Sequence, residues 1–343
     1  MSRVNIEAEI TPGMSAAEVV ELAVLAEQAG FDRLGISDVI FWPDCFVLLG
    51  LIAQRTTRIR LGSMVTNPYS RHPAVLAGAA ATLQDASQGR AFLGLGVGAG
   101  LEALGLNYPR PVVTLREAVT TIRALLAGDE VDVRGKTLRV ERSRMVGQVA
   151  AVPIAIGTRS PQVTRLAGEI ADTALVGARS MTPDIAAQYR TWLTEGAARA
   201  RRSLDDLEVA PRLTLCTSHD GDLARRSVRR YVAHYVALVR PPDVAADAAW
   251  LARVEGALAR SRGWYFDHDR YDDPDLDVLI DDDLVHRFAI AGTPEECAEL
   301  TRNVLALGFT SVSMNLAATR RASMSSGLRE TIEGFAEVID TLR

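Results

Sequence analysis

Two hydrophobic rhythms alternate along the chain. Short runs of apolar and β-branched residues give way to longer amphipathic runs with a period near 3.6, the signature of strands followed by helices. "VNIEAEI" (4–10) predicts a strand, and "SAAEVVELAVLAEQAG" after it predicts a helix. In that helix Ser15 caps, Glu18 completes a capping box and Gly30 terminates. The same alternation gives a strand at 33–37 and a helix near 44–55, then "RIRLGSMV" (58–65) and a helix from Pro73 to Ala86. Pro73 suits a first helical position. A strand at 91–97 and a helix at 111–127 follow.

"DEVDVRGKTLRV" alternates around its Arg-Gly-Lys and predicts a small hairpin. Strands then fall at 152–157, 173–177 and 207–216, with helices at 160–170 and 183–200. The stretch 220–262 is mostly helical, with the pairs Arg225/Arg226 and Arg229/Arg230 expected on a solvated face. Residues 267–283 are strongly acidic and are expected to form an exposed loop. A Thr-x-x-Glu box opens the helix in "TPEECAELTRNVLALG", an eighth strand covers 310–316, and a last helix covers 328–342.

Eight strands, each followed by helical sequence with no compositional break, predict an α/β chain forming one domain over 1–343, a (β/α)8 TIM barrel. Its insertions are the hairpin (129–140) and a helical stretch between strands 7 and 8 (220–285). An open doubly wound sheet would carry a glycine-rich fingerprint after the first strand, where "TPGMSAAE" stands instead. The glycines of "GLGVGAG" follow the fourth strand and have no suitably placed acid about 20 residues on, so they do not make that fingerprint.

Composition narrows the function. The chain has 343 residues and a net charge of −5, which argues against a broad nucleic-acid surface. Cys45, Cys216 and Cys297 are far apart and odd in number, suggesting neither a disulfide framework nor a zinc site. The five histidines are scattered, so no metal site is expected. The start lacks a signal-peptide pattern and no apolar run is long enough to span a membrane. A cytoplasmic protein acting on a small molecule is the expectation.

Barrel enzymes place their chemistry at the C-terminal ends of strands. Those ends offer Glu7, Glu9, Ser37, Asp38, Ser63, Met64, Thr66, Asn67, Gly96, Gly98, Gly100, Gly157, Thr158, Arg159 and Ser160. A carboxylate inside a barrel layer needs a partner or a reason, which singles out Glu7. Asp38 suits a functional role or a helix cap. Three alternating glycines, 96, 98 and 100, suggest something large and flat over the strand end. Backbone N–H groups at the helix start in "IGTRSPQ", with Arg159, suit an anionic phosphate. In "TNPYSRHPAVLA", Pro68 and Pro73 stiffen the strand exit, and Arg71 and His72 are expected to be structural or interfacial.

The stretches "NIEAE", "AEQAGFDRLGISD", "TTRIRLGSMVTNPYSRHPAVLA", "ATLQDASQGRAFLGLGVG", "VPIAIGTRSPQVTRLAGEIAD" and "AGTPEECAEL" together resemble the luciferase-like flavin and deazaflavin oxidoreductases. Within them the chain is most similar to the coenzyme F420-dependent methylenetetrahydromethanopterin reductases. The resemblance implies a barrel with the cofactor at its mouth, Glu7 and Asp38 as catalytic acids, and a homodimer. It also implies a non-prolyl cis peptide at Met64–Val65. The implied cofactor-binding set is Asp38, Ser63, Met64, Val65, Thr66, Asn67, Gly96, Gly98, Ala99, Gly157, Thr158, Arg159, Ser160 and Gly177.

Two positions depart from the pattern. Val39 stands where relatives often carry a histidine that serves alcohol oxidation, and Ala99 where the reductases carry an aspartate. The implied activity is hydride transfer from reduced F420 to a small C=N or C=C substrate. An FMN-dependent monooxygenase and a non-catalytic barrel homologue stay open as alternatives.

Overall fold

The computed structural model describes residues 4–147, 149–241, 244, 246–260, 274–321 and 323–343. The fold is the expected (β/α)8 barrel: all eight expected strands are present and parallel, and helices connect them. Two compact units divide the chain, one of Met1–Phe31, Ala178–Ala186 and Pro211–Arg343, the other of Asp32–Gly177 and Ala187–Ala210.

The first unit holds β1 (Asn5–Ile10), α1 (Ala16–Ala29), the start of α6 (Pro183–Arg199), β9 (Glu208–Thr217) from Pro211 onward, α7 (Gly221–Val239), β10 (Ala289–Gly292), α11 (Pro294–Leu305), β11 (Ser311–Leu316) and α12 (Met324–Ile339). Its strands run β10-β9-β11-β1. The capping box of α1 forms as read, and Gly30 ends the helix at φ 96°. That left-handed conformation is what favours glycine at the position. Phe31 then stacks on Phe335 at 5.8 Å.

The second unit holds β2 (Arg33–Ile36), α2 (Cys45–Ala53), β3 (Arg60–Thr66), α3 (Pro73–Ala86), β4 (Ala91–Leu95), α4 (Pro111–Leu126), β7 (Ile154–Thr158), α5 (Pro161–Ile170) and β8 (Thr173–Val176), in the order β2-β3-β4-β7-β8. Met64, Phe92, Ala155, Leu175 and Ala210 form one buried cluster. The hairpin is β5 (Val131–Arg134) with β6 (Arg139–Ser143), antiparallel. Glu117 of α4 ties it down by accepting from the backbone N–H groups of Lys136, Thr137 and Leu138.

Three expectations are corrected. Among residues 267–283, positions 267–273 lie outside the described residues, but the rest is not an exposed loop. Pro274–Leu279 is helix α9 and Asp282–Phe288 is helix α10, following α8 (Ala248–Arg260). Leu276, Ile280, Val285 and Phe288 are fully buried against α7. Beneath the acidic composition these apolar residues recur at helical spacing, and burial of each contributes about 1.5–3 kcal/mol.

The basic pairs of α7 are not a solvated face either; only Arg226 is exposed. Arg225 pairs with Asp222, Asp282 and Glu296, and Arg229 reaches Asp282 at 3.0 Å, while Arg230 is buried. The acidic stretch thus supplies the counter-charges. Finally, β10 was not expected. Its four residues, Ala-Ile-Ala-Gly, are too few and too small to show a strand pattern, and they are fixed by parallel pairing with Thr214–Thr217.

Candidate active site

The second unit builds its site around the exit of β3. Met64–Val65 is a cis peptide, as the resemblance implied. Ser63 is fully buried and donates to the Gly94 carbonyl at 2.9 Å, tying β3 to β4. Val65 projects over positions that carry no side chain. A Cβ on Gly96 would meet Val65 Cγ2 at 2.6 Å, one on Gly94 would meet Val65 Cγ1 at 3.2 Å, and one on Gly157 would lie 3.4 Å from both Val65 methyls. The glycines of β4 therefore make room first for Val65 itself. Gly98 and Gly100 serve another need, turning the chain at φ 79° and 69°. Ala99 is exposed on that turn.

Thr66 and Asn67 divide the work beyond the cis bond. Thr66 Oγ1 donates to Asp38 Oδ2 at 2.6 Å. Asn67 Oδ1 accepts from the backbone N–H groups of Tyr69 and Ser70 at 3.0 and 2.9 Å, an Asx turn that sets the path of the loop. Asp38, at the end of β2, is held at both oxygens by Arg71: Nε to Oδ2 at 2.9 Å and Nη2 to Oδ1 at 3.0 Å. Arg71 also pairs with Asp44 at 2.7 Å, the residue that caps α2. Those carboxylates raise the guanidinium pKa above its ordinary value. His72 caps α3 through Nδ1, which accepts from Ala74 N–H at 3.2 Å. The structural roles expected of Arg71 and His72 thus have definite partners, and Arg71 was missing from the candidate set although it grips one of its members.

On the β7 side, Thr158 is buried, whereas Arg159 and Ser160 are exposed. Ser160 caps α5 by accepting from Val163 N–H, and Pro161 fills the first helical position. Gly177 N–H donates to the Thr158 carbonyl at 2.7 Å, and a Cβ on Gly177 would meet that oxygen at 2.5 Å. Tyr189 braces the loop by donating from its hydroxyl to the Arg159 carbonyl at 3.0 Å; burial pushes its phenol pKa up to about 12. Backbone N–H groups at a ten-residue helix start, beside an exposed guanidinium, suit an anion.

Glu7 belongs to the first unit, where β1 alternates two faces. Ile6, Ala8 and Ile10 lie fully buried on one, and Glu7, Glu9 and Thr11, each at most 3% exposed, on the other. Register aligns Glu7 with Ser313 and Arg212, and Glu9 with Asn315 and Thr214. Glu9 pairs with Arg212, so its buried charge is matched. Farther along, Arg179 Nη1 donates to the Tyr231 hydroxyl at 2.8 Å and its guanidinium lies 4.8 Å from the Tyr235 ring centroid. Burial raises the Tyr231 pKa well above the ordinary phenol value. Arg212, Ser313, Asn315, Arg179 and Tyr231 were all missed. A charged residue inside the apolar run "RLTLC" was the available signal for Arg212.

The three cysteines are buried thiols, and burial drives the pKa values of Cys216 and Cys297 upward. Among the described residues no cluster of metal-ligating side chains is found, and no helix is long and apolar enough to cross a membrane.

The 5,10-methylenetetrahydromethanopterin reductase of Methanolobus tindarius is 31% identical over 311 residues, covering 89% of this chain and 91% of its own. The F420-dependent glucose-6-phosphate dehydrogenase of Nakamurella multipartita is 31% identical over 307 residues, covering 85% and 84%. The solved structure of the coenzyme F420-dependent tetrahydromethanopterin reductase from Methanopyrus kandleri superposes with a TM-score of 0.86 at 25% identity, over 100% of both chains. The luciferase-like monooxygenase family model matches residues 2–311, and the chain belongs to that family.

Proposed function

We propose that this protein is a coenzyme F420-dependent oxidoreductase that transfers a hydride to a C=N or C=C bond of a small organic substrate. The observation that carries the reading is the platform at β3, where Val65 lies over Gly94, Gly96 and Gly157 with no intervening side chain. A flat ring needs such a surface, and a Cβ on Gly96 would push Val65 out of it. The F420-dependent dehydrogenase of Nakamurella multipartita and the F420-dependent reductase of Methanopyrus kandleri, both similar to this chain, support the same cofactor.

When bound, coenzyme F420 supplies a two-electron hydride centre. The chain does the rest. Met64, Val65 and Gly96 back one face of the ring. Ser63, Thr66, Asn67, Gly98 and Ala99 shape its surroundings. Asp38 anchors the ring edge; with both oxygens committed to Arg71 and Thr66, it is an anchor rather than a proton carrier. Gly157, Thr158, Arg159, Ser160 and Gly177 receive the anionic side chain of the cofactor. Glu7 is the proposed acid. Glu7 would hold the proton that the substrate nitrogen takes up when its C=N carbon is reduced, and its carboxylate would be reprotonated from water. Val39, in place of histidine, leaves no base on the second strand for alcohol oxidation.

The chain acts as a homodimer in this reading. Phe41, Val47, Leu51 and Val75 of the α2–α3 region are 79%, 64%, 47% and 61% exposed, an apolar face suited to a second copy. Anaerobic mixing of reduced F420 with cyclic imines and other C=N compounds, and separately with the aminal methylenetetrahydromethanopterin, tests the activity: oxidised F420 should return in the wild type and not in Glu7→Gln. Unchanged turnover in Glu7→Gln would remove Glu7 from the mechanism.

A further inference from the structure

The first unit carries a groove on the side of its sheet turned away from Glu7. Through their register, Arg212 and Thr214 of β9 share a face with Glu7 and Glu9, so Leu213 between them lies on the opposite face. Ile290 of β10 aligns with Leu215, two positions from Leu213, and so joins it there. Leu213 and Ile290 line a groove of about 360 Å³, all of whose lining residues belong to the first unit. Small-molecule sites run from roughly 300 to 1,000 Å³.

One wall comes from α11 and the turn after it. Leu300, Asn303, Val304 and Leu307 follow the i, i+3, i+4, i+7 spacing of a single helical face. Leu300 and Leu307 are only half-buried, which leaves an apolar strip open along the groove. At the helical rise that strip is about 10 Å long. Met181, after β8, adds an unbranched side chain that can adapt to the shape of an occupant.

Charge narrows the occupant further. Among the described residues that line the groove there is no carboxylate. Its polar members are Asn303 and, in the last turn of α10, His286 and Arg287. An ammonium head would lie beside a guanidinium, whereas a carboxylate would meet a counter-charge and further N–H donors.

We propose that this groove is a second binding site, for a medium-chain carboxylate whose tail lies along α11 and whose head is received by Arg287, His286 and Asn303. The length of the strip selects the tail, and the lining charge selects the head. The site is separate from the candidate active site, because Leu213 and Arg212 point to opposite faces of β9. It does not depend on the reductase reading.

The test titrates the full-length chain with decanoate, octanoate and decyltrimethylammonium, with and without saturating F420, by calorimetry and by melting temperature. Decanoate should bind saturably and raise the melting temperature. Octanoate, two methylenes shorter, should bind about tenfold more weakly. Decyltrimethylammonium should not bind, and F420 should leave the decanoate affinity within about twofold. Two variants at positions that are not buried probe the groove. Asn303→Glu puts a carboxylate into the lining, Leu300→Trp fills the strip, and each should abolish the decanoate response while melting close to wild type without ligand. If one of them folds poorly, the other decides. The proposal is overturned if wild type binds no decanoate, if it binds decyltrimethylammonium as tightly, or if a well-folded variant binds decanoate unchanged. Loss of decanoate binding at saturating F420 would also overturn it, by putting decanoate in the cofactor site. Failure of F420 to bind would count against the reductase reading alone.

Discussion

Arg71 grips Asp38 through two parallel hydrogen bonds, Nε–Oδ2 at 2.9 Å and Nη2–Oδ1 at 3.0 Å, and extends the grip to Asp44. The pair joins the end of β2 to the loop leaving β3, and Thr66 completes it from the strand itself. The Asp38 side chain is only 10% exposed, so the two-point geometry is partly shielded from water. Arg71→Ala should cost about 1.5–3 kcal/mol of stability, measured by denaturant unfolding. In a double-mutant cycle with Asp38→Ala, the two residues should couple by about 0.5–3 kcal/mol. Additive effects would show that the pair does not hold the loop.

The buried pair Glu9–Arg212 makes a sharper demand. Glu9 is 3% exposed and Arg212 11%. Glu9→Ala removes a counter-charge from the buried Arg212 guanidinium and should destabilise the fold by about 3–5 kcal/mol, whereas replacing both residues with apolar ones of similar volume should cost far less. Thermal melts of the single and double variants check this ordering.

Gly94 makes a steric prediction. A Cβ there would run into the Ser63 carbonyl oxygen, a backbone atom that cannot swing aside. Gly94→Ala should therefore destabilise the protein by about 1–3 kcal/mol. Gly78 has open space around it, and Gly78→Ala, in the middle of α3, should stabilise by about 0.5–1 kcal/mol. Comparing the two melting curves separates a packing constraint from a conformational one.

Glu330 sets an acid limit. Arg321 holds both its oxygens, Ser218 donates at 2.6 Å and Thr319 at 2.8 Å, and the carboxyl pKa falls to about 2 against an ordinary 4.5. The folded pKa is the lower one, so this stabilisation is complete above about pH 4.5 and is lost as pH falls toward 2. Glu330→Gln should flatten that part of the stability–pH profile, measured as melting temperature from neutral pH downward. An unchanged acid slope would place the loss on other carboxylates.

Much of the fold was legible because its local signals agreed with one another. Helix α3, expected from Pro73 to about Ala86, spans Pro73–Ala86, since Pro73 marks its first turn. The short strand β10 was not legible; its pairing with β9 is a tertiary fact that four small residues do not announce. The acidic composition of 267–283 masked the apolar spacing of Leu276, Ile280 and Val285. In the candidate site, strand ends were readable, because the barrel rule converts a sequence position into a place. Partners were not. Arg212 and Asn315 join Glu9 only through register between strands some 200–300 residues apart, and no local pattern encodes that.

The central claim is the cofactor, and titration of the purified chain with coenzyme F420 and, separately, with FMN tests it most directly. Absorbance and fluorescence should change saturably with F420 in the wild type, weaken at least tenfold when Gly96 is replaced by valine, and show no comparable response to FMN. Saturable binding of FMN with oxygen consumption by the reduced complex, and no response to F420, would contradict it.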